Sequence, residues 1–203
     1  MNKTSNDAQK PSNLENSSNN EKLLLRIFDR RDIIPERNDV LWKIESGVVR
    51  SATWSEDGTF ITLGYWGVGD VVGFALSKIT PYQLDCLTPT EVTIIPPQFW
   101  YKHINLLFSH IQQTEELLSI INYKGVHIRM CQFLIWLSDK FGRDVEKGKL
   151  IDIHLTHQDI AEVLNTTRVT ITRLLMQLEA EGKLTRHKRQ IIVTQSLLGL
   201  RDA

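Results

Sequence analysis

The pattern of hydrophobic and polar positions changes its period near Pro97. Before this residue, short runs rich in Val, Ile, Trp and Thr are separated by turn residues such as Glu56-Asp57-Gly58, which is the pattern of β-strands joined by tight turns. Because no helical pattern interrupts these runs, they predict a small antiparallel roll or barrel. The predicted strands cover residues 39–44, 47–54, 60–66, 71–74 and 84–95.

Beyond Pro97 the apolar positions recur alternately four and three residues apart, as in a coiled-coil helix of roughly three heptads. A second apolar set, Phe108, Leu117 and Ile120, lies beside this series. One apolar face is therefore expected to pack on the roll and the other to meet a partner helix, whereas a single wide core face in a monomer is the alternative. The predicted dimer seam consists of Leu107, Ile111, Thr114, Leu118 and Ile121, and its spacing continues to Gly125 and Ile128.

A second helical pattern covers residues 126–141. Gly125 lies where the two patterns meet, which favours a hinge or kink at this point. Gly142 follows the last apolar position, and it is predicted to end the helix in the left-handed conformation that glycine adopts without strain.

Residues 155–182 have the pattern of two helices joined by a short turn, a helix-turn-helix. Thr156 and Asp159 have the spacing of a capping box at the start of the first helix. Asn165 occupies the turn, where a left-handed backbone is tolerated, and Thr167 is the predicted N-cap of the second helix. The predicted buried positions are Ile160, Ala161 and Leu164 in the first helix and Ile171, Leu174, Leu175 and Leu178 in the second.

The outward face of the second helix is the main functional clue in the sequence. The N-terminal residues of such a helix reach base edges in the major groove of DNA. Arg168 and Arg173 can each bond a guanine through O6 and N7, and Val169 can pack on a thymine methyl group. Short polar side chains suit phosphate oxygens. The candidates for phosphate contact are Thr156, Gln158, Thr167 and Thr170, and Thr172 is a further candidate DNA-binding residue on the outward face of the second helix.

A basic cluster, Arg186-His187-Lys188-Arg189, follows the second helix and leads into a predicted strand at 190–193, which indicates a β-wing. Between residues 168 and 189, six Lys or Arg oppose two Glu, a local charge of +4 in a chain whose 24 basic and 24 acidic residues balance. Such a local excess is what DNA binding requires. The alternative is a winged helix reused for protein contact. The wing residues His187, Lys188 and Arg189 are further candidates for DNA contact.

Composition excludes several other classes of protein. No apolar run approaches the ~20 residues that cross a bilayer, and the polar segment 1–20 lacks the apolar core of a secretory signal and is predicted to be disordered. Cys86 and Cys131 are too few for a disulfide framework or a four-cysteine iron–sulfur ligand set, so a cytoplasmic setting is expected. His154 and His157 lack acidic or thiolate companions, and no catalytic constellation is visible, so we predict neither a metal site nor an enzyme.

Three parts of the sequence resemble the catabolite-activator/fumarate-nitrate-reductase (CRP/FNR) family of regulators, and above all its cyanobacterial nitrogen-control branch. They are Trp66-Gly67-Val68-Gly69-Asp70-Val71-Val72-Gly73, Ile111-Gln112-Gln113-Thr114-Glu115, and Leu155-Thr156-His157-Gln158 with Thr167-Arg168-Val169-Thr170-Ile171-Thr172-Arg173-Leu174-Leu175. The resemblance covers about residues 35–195.

This resemblance implies an α+β fold, in which an N-terminal antiparallel β-roll of the cyclic-nucleotide-binding type precedes a long dimerisation helix and a C-terminal winged helix-turn-helix. It implies a homodimer that binds a palindromic double-stranded DNA operator and contacts RNA polymerase. The Arg-Val-Thr sequence at 168–170 implies half-sites of the GTA/TAC type. The expected division is a tail at 1–20, the roll at 21–98, the dimerisation helix at 99–124 and the DNA-binding domain at 125–203.

The resemblance also places an effector pocket at Gly73, Phe74, Ala75, Leu76, His110 and Glu115. Members that bind cyclic nucleotides use a Glu and an Arg of the roll, but residues 73–85 contain neither and Lys78 is their one basic residue, so cyclic AMP is not expected. The nitrogen regulators bind 2-oxoglutarate through a roll arginine and an Arg and a Glu of the dimer helix. Glu115 matches that Glu, but His110 replaces the Arg and the roll arginine has no counterpart, so 2-oxoglutarate is suggested only in part.

Two interpretations of the roll stay open. Another small molecule fills it, or the protein has no effector and is controlled by its amount or by a partner protein. The second is slightly favoured. A different function, a small-molecule sensor that acts through protein contacts rather than DNA, is the alternative to a transcription factor.

Overall fold

The structure of the protein, a computed structural model, describes residues 24–187 and 190–200. The predicted disordered tail at 1–20 lies outside these residues. Of the predicted wing contacts, Lys188 and Arg189 also lie outside them, as does the side chain of His187.

The N-terminal part is an antiparallel roll of two sheets, as the sequence predicts. One sheet has the strand order β1-β7-β2-β5 and the other the order β4-β3-β6. The strands are β1 (Leu25–Phe28), β2 (Leu41–Ser46), β3 (Val49–Trp54), β4 (Phe60–Trp66), β5 (Val71–Val72), β6 (Gln83–Cys86) and β7 (Thr90–Ile95).

The interior of the roll is filled by apolar side chains from both sheets. Trp42, Trp66 and Phe74 lie among buried Val, Ile and Leu residues, and the Phe74 ring meets the Tyr82 ring edge to face. Cys86 belongs to this core, where burial raises the pKa of its thiol to about 11. Free cysteine packs here as a small apolar group.

β1 is the one strand of the roll for which the sequence supplied no prediction. Its residues are mostly exposed, so they do not show the alternating burial by which half-buried strands are recognised. Backbone pairing with β7 holds the strand at the edge of its sheet, from Leu25 opposite Thr93 to Phe28 opposite Thr90.

Two helices follow the roll. A 3-10 segment at Pro97–His103 leads into α1 (Ile104–Asn122), and α2 covers Val126–Phe141. The junction is a complete break, in which Gly125 has a φ of +92°, a conformation that glycine tolerates best. The prediction that the seam continues to Ile128 is therefore wrong, because α1 ends six residues earlier, at Asn122.

The predicted left-handed cap at Gly142 is also wrong. Gly142 has φ −94° and ψ 155°, so the chain passes directly from α2 into an extended strand. A Cβ at this position would lie 2.0 Å from the Ser138 carbonyl oxygen. Glycine is thus required by a close backbone approach and not by a left-handed turn.

The C-terminal part combines four strands with short helices around α2. The strand order is β10-β11-β9-β8. The elements are β8 (Gly142–Val145), β9 (Gly148–Ile151), α3 (His157–Val163), α4 (Arg168–Ala180), β10 (Leu184–His187), β11 (Gln190–Thr194) and α5 (Gln195–Leu198).

The roll and the C-terminal part share one hydrophobic core. Tyr65 of β4 and Val48, which precedes β3, are buried in the same cluster as Phe133 and Leu134 of α2 and the inner residues of α3 and α4. The position of the helix-turn-helix relative to the roll is therefore set by packing as well as by chain connection. In the described part of the chain, no helix has both the length and the hydropathy needed to cross a membrane.

Candidate nucleic-acid interface

The first helix of the helix-turn-helix begins at the predicted capping box. The Thr156 hydroxyl accepts a hydrogen bond from the backbone N–H of Asp159 at 3.1 Å, and the Asp159 carboxylate accepts one from the backbone N–H of Thr156 at 2.7 Å. This reciprocal pair satisfies two backbone donors that a helix start leaves open. The capping box thus sets the first residue of α3 and the direction in which the side chains of its first turn point.

The second helix begins as the sequence predicts. Asn165 has a φ of +48° in the turn, and the Thr167 hydroxyl accepts a hydrogen bond from the backbone N–H of Thr170 at 3.1 Å. The small side chain of Ala161, 1% exposed, lies at the contact between α3 and α4. The predicted inner face of α4 is buried at every position, Ile171, Leu174, Leu175 and Leu178.

This burial turns the predicted reading residues outward. Val169 is 78% exposed, although it is a large apolar side chain at the start of a helix. Arg168 and Arg173 are exposed as well, and neither guanidinium forms an ion pair with any residue that the structure describes. An exposed apolar group between two unpaired guanidinium groups offers both kinds of base contact that the major groove accepts.

The side chains predicted to contact phosphate already make hydrogen bonds within the domain. The Thr156 hydroxyl donates to the Asp159 carboxylate at 2.6 Å, and the Thr167 and Thr170 hydroxyl oxygens lie 2.9 Å apart. Gln158 donates to Glu162 at 3.0 Å. These groups hold the helices in place, and each keeps only its remaining hydrogen-bonding capacity for a ligand.

Thr172 has a structural partner that the sequence did not indicate. Its hydroxyl donates to the Arg168 carbonyl oxygen at 2.9 Å and lies 2.8 Å from Nδ1 of His157. Because the Thr172 proton is directed at the carbonyl, Nδ1 of His157 is the donor to the hydroxyl oxygen. Burial, with Arg186 and Arg168 nearby, lowers the pKa of His157. The imidazole thus ties the first turn of α3 to the first turns of α4.

The wing lies beside α4 and is bound to it by an ion pair. β10 and β11 pair from Leu184 opposite Val193 to His187 opposite Gln190. Arg186 donates two side-chain hydrogen bonds to Glu179 of α4, at 2.9 and 2.6 Å, and these lower the pKa of Glu179. Lys183 pairs with Glu181 at 2.8 Å. Both acids of the segment are therefore paired, which leaves Arg168 and Arg173 as its cations without a carboxylate partner among the described residues.

Further cations border this surface from the roll. A cleft of about 810 Å³ lies between the turn after β1 and the helix-turn-helix, and Arg30, Arg31, His154, His157 and Arg168 are among its lining residues. The turn is held by hydrogen bonds, including one from the Arg31 N–H to the Cys86 carbonyl at 2.7 Å. Sequence reasoning missed Arg30 and Arg31, because only the packing of the two parts brings this turn beside a helix so distant along the chain.

The residues of the expected effector pocket do not all face one space. Phe74 is buried in the roll core, Ala75 is exposed, and Gly73 packs against Leu41 and Val40. Lys78, the one cation of that stretch, is exposed. Glu115 lies on the exposed face of α1.

His110 of α1 is engaged inside the protein. Its ring stacks on Trp66 with centroids 3.9 Å apart, and its Nδ1 lies 3.0 Å from the Val71 carbonyl oxygen. A carbonyl only accepts, so Nδ1 carries the proton. Burial lowers the pKa of His110. His110 is thus a neutral, stacked imidazole at the position where the resemblance expects an arginine, the cation that an anionic effector would need.

Within the described ranges, 24–187 and 190–200, no group of three His, Cys, Asp or Glu side chains lies close enough together to hold a metal ion. His154 and His157 lie along the basic cleft, whose lining includes four arginines and one carboxylate, that of Glu179.

Comparison with known proteins agrees with this architecture. Residues 128–203 match the Crp-like helix-turn-helix domain family. The regulatory protein CysR of Synechococcus elongatus is 41% identical over 170 residues, which is 82% of each chain. The global nitrogen regulator of the same organism is 30% identical over 75% of this chain and 76% of its own.

A solved structure supports the fold. A CRP-family transcriptional regulator from Thermus thermophilus superposes with a TM-score of 0.75 over 88% of this chain and 97% of its own, at 21% identity. With the two curated relatives, this similarity confirms the fold and the family that the sequence motifs indicate. The chain belongs to the CRP/FNR family of transcriptional regulators.

Proposed function

We propose that the protein acts as a homodimer that recognises an inverted repeat in double-stranded DNA and so regulates transcription at the promoters that carry it. The observation that carries this proposal is the start of α4, where Arg168, Val169 and Arg173 are exposed and the two guanidinium groups have no carboxylate partner in the described chain. Base edges in the major groove are the partners such a group of side chains fits. The likeness to the nitrogen-control branch favours half-sites of the GTA/TAC type.

The positive surface around α4 supports the same function. Arg30 and Arg31 extend it from the helix-turn-helix onto the roll, along the cleft they share with Arg168. Cations that flank a reading helix neutralise backbone phosphates and contribute affinity without sequence preference. The candidate phosphate contacts on α3, Thr156 and Gln158, line the same cleft.

Dimerisation is proposed from the apolar face of α1. Phe108, Ile111 and Leu118 are each more than half exposed, at 55, 53 and 55%. Side chains of this size at heptad spacing are the usual contacts of a two-helix seam. A dimer presents two copies of α4, which is why we expect the DNA site to be a palindrome.

We further propose that the roll acts without cyclic AMP and without a dicarboxylate held by His110. The aromatic side chains of Trp42, Trp66 and Phe74 occupy the roll core, and Lys78 is exposed. Control by the amount of protein or by a partner, RNA polymerase included, fits these observations better than control by an anionic effector.

Selection of bound sequences from a randomised duplex pool tests this function. The purified protein is expected to enrich one inverted repeat, with the same result in the presence and absence of 2-oxoglutarate. Enrichment of no repeat would contradict the proposal and favour a regulator that acts through protein contacts. Enrichment that depends on 2-oxoglutarate would contradict only the absence of an effector.

A further inference from the structure

A largely buried ion cluster joins the roll to the helix-turn-helix. It begins with the register of the roll, in which Arg50 of β3 lies opposite Asp85 of β6 on one side and Tyr65 of β4 on the other. Residues directly opposite each other share one face of a sheet. The Tyr65 ring packs on Phe133 and Trp136 of α2, with centroids 6.2 and 6.5 Å away. This face of the roll is therefore the one that meets the C-terminal part.

The guanidinium of Arg50 bridges the two parts. Nε and Nη2 donate to the Asp85 carboxylate at 3.1 and 2.9 Å, and Nη1 donates to the Asp159 carboxylate of α3 at 3.0 Å. The guanidinium also lies over the Phe60 ring, 4.5 Å from its centroid. The three charged side chains are only 14, 11 and 23% exposed, so water screens their attraction little.

Asp159 is also the carboxylate of the capping box. One oxygen, Oδ1, takes the Arg50 hydrogen bond, while Oδ2 takes those of the Thr156 backbone and hydroxyl. A rotation of α3 against the roll must therefore break either the Arg50 contact or the cap. Because a guanidinium donates in fixed directions within a plane, this contact restricts orientation as well as distance.

A second ion pair joins the two parts through different elements. Lys140 near the end of α2 lies 3.0 Å from the Asp70 carboxylate, in the turn between β4 and β5. Its ammonium lies over the Trp66 and Trp136 rings at 5.0 and 5.5 Å. Two ion pairs on different elements, added to the shared core, restrict rotation more than either pair alone.

We propose that Arg50 is a positioning residue for DNA recognition. Through Asp159 it holds the helix-turn-helix in one orientation relative to the roll, and thereby sets the distance between half-sites that the dimer accepts. The inference rests on the proposed function, since it concerns how two copies of α4 are spaced on one operator. The bases that each copy reads are set by Arg168, Val169 and Arg173 and do not depend on Arg50.

The test uses a library of duplexes in which the selected half-site is constant and the spacer between its two copies varies in length. The wild-type protein is expected to favour one spacer. In Arg50→Met and in Asp159→Asn, its preference over spacers one base pair longer or shorter should fall by about tenfold, which lies within the coupling range of groups in direct contact. The half-site sequence should be unchanged in both.

Two variants are used so that a loss of folding in one of them does not leave the inference untested. Arg50→Met leaves Asp85 and Asp159 without their cation, whereas Asp159→Asn keeps a side-chain oxygen for the cap and leaves the Arg50–Asp85 pair intact. If Arg50→Met does not fold, the spacer preference of Asp159→Asn therefore tests the inference by itself. Arg37→Met is the matched control, because it breaks an exposed Arg–Asp pair that lies within the roll, and its spacer preference should equal that of the wild type.

A measurement without DNA completes the test. Met176 of α4 is 59% exposed, and the native cysteines Cys86 and Cys131 are buried, so Met176→Cys can carry a nitroxide label selectively. The distance between the two labels of a dimer should be narrowly distributed in the wild-type background and broad with Asp159→Asn.

Three outcomes overturn the inference. They are an unchanged spacer preference in Asp159→Asn, an unchanged label distance in the same variant, and a loss of affinity that is equal for all spacers and for random DNA. The proposed function would survive each of these. It fails separately, if the wild-type protein enriches no repeat at all.

Discussion

Single residues divide the cations of the helix-turn-helix into two groups. Arg186 and Lys183 have carboxylate partners, Glu179 and Glu181, at 2.6 and 2.8 Å. Arg168 and Arg173 have none among the described residues, and they lie on the first turns of α4. A guanidinium without an internal partner is free to make a bidentate contact to guanine, whereas a paired one first has to give up its carboxylate.

Arg168→Ala should weaken binding to the selected repeat by about 1–3 kcal/mol and relax base preference at one position of each half-site. Competition binding against single-base operator variants measures both effects. Arg143→Ala is the control, since it removes an exposed arginine of β8 from the same domain and should leave binding unchanged. Equal losses on specific and random DNA in Arg168→Ala would show that Arg168 contacts only phosphate.

His110 should make the protein less stable in mild acid. Burial lowers its pKa in the fold, whereas an unfolded histidine titrates near about 6.5. Below that pH the unfolded chain therefore binds more protons than the folded one, and the free energy of unfolding falls as the pH drops through the folded pKa. His110→Asn keeps an N–H donor for Val71 but cannot titrate. Urea unfolding over a pH series should show a smaller loss on the acid side in this variant, and equal losses would contradict the assignment.

At the scale of elements, the helix-turn-helix is specified by contacts between residues close together in the sequence. Thr156 and Asp159 cap α3, Asn165 makes the turn, and Thr167 caps α4. Each of these contacts spans three residues or fewer, so their spacing is visible in the sequence before any tertiary contact is known.

Thr167→Val should destabilise the protein by about 1 kcal/mol, because it removes the acceptor for the Thr170 N–H at the start of α4 and keeps the shape of the side chain. Chemical unfolding measures the change. Thr166→Val, which affects a neighbouring threonine outside the cap, should change stability by less than about 0.5 kcal/mol. Similar losses in the two variants would mean that the cap does not determine the stability of α4.

At the scale of the whole molecule, α1 has an inner face that packs on the protein and an outer face that residues 24–187 and 190–200 leave uncovered. Leu117 and Ile120 are 4 and 7% exposed and belong to the shared core, whereas Ile111 and Leu118 are 53 and 55% exposed. The second apolar set of the sequence is thus divided, because Phe108 lies with the exposed residues. Burial of a single wide core face, the monomer alternative, leaves these large apolar groups unexplained.

Leu118→Lys should therefore yield monomers and abolish binding to the repeat, since a charge cannot be buried unpaired in the seam. Light scattering and operator titration measure the two effects. Ser119→Lys adds the same charge at a neighbouring exposed position and should leave the dimer intact. An unchanged mass for Leu118→Lys would contradict the predicted seam. Ile121 of the same seam is half-buried against the core, so a change there would also disturb the monomer.

The sequence by itself determined the features that depend on local spacing. The strands of the roll other than β1, the helix caps, the buried face of α4 and the outward position of Arg168 and Val169 all follow from patterns a few residues long. These patterns work because backbone hydrogen bonding and side-chain periodicity act over single turns and pleats.

Only the tertiary structure decided which distant residues meet. Arg50 and Asp159 are 109 positions apart, and Trp66 covers His110 only because α1 packs on the roll. The break at Gly125 and the extended Gly142 likewise depend on neighbouring elements, since a heptad pattern cannot show that the helix carrying it ends at Asn122. Contacts between remote segments reflect the packing of completed elements, and one sequence carries no periodic signal for them.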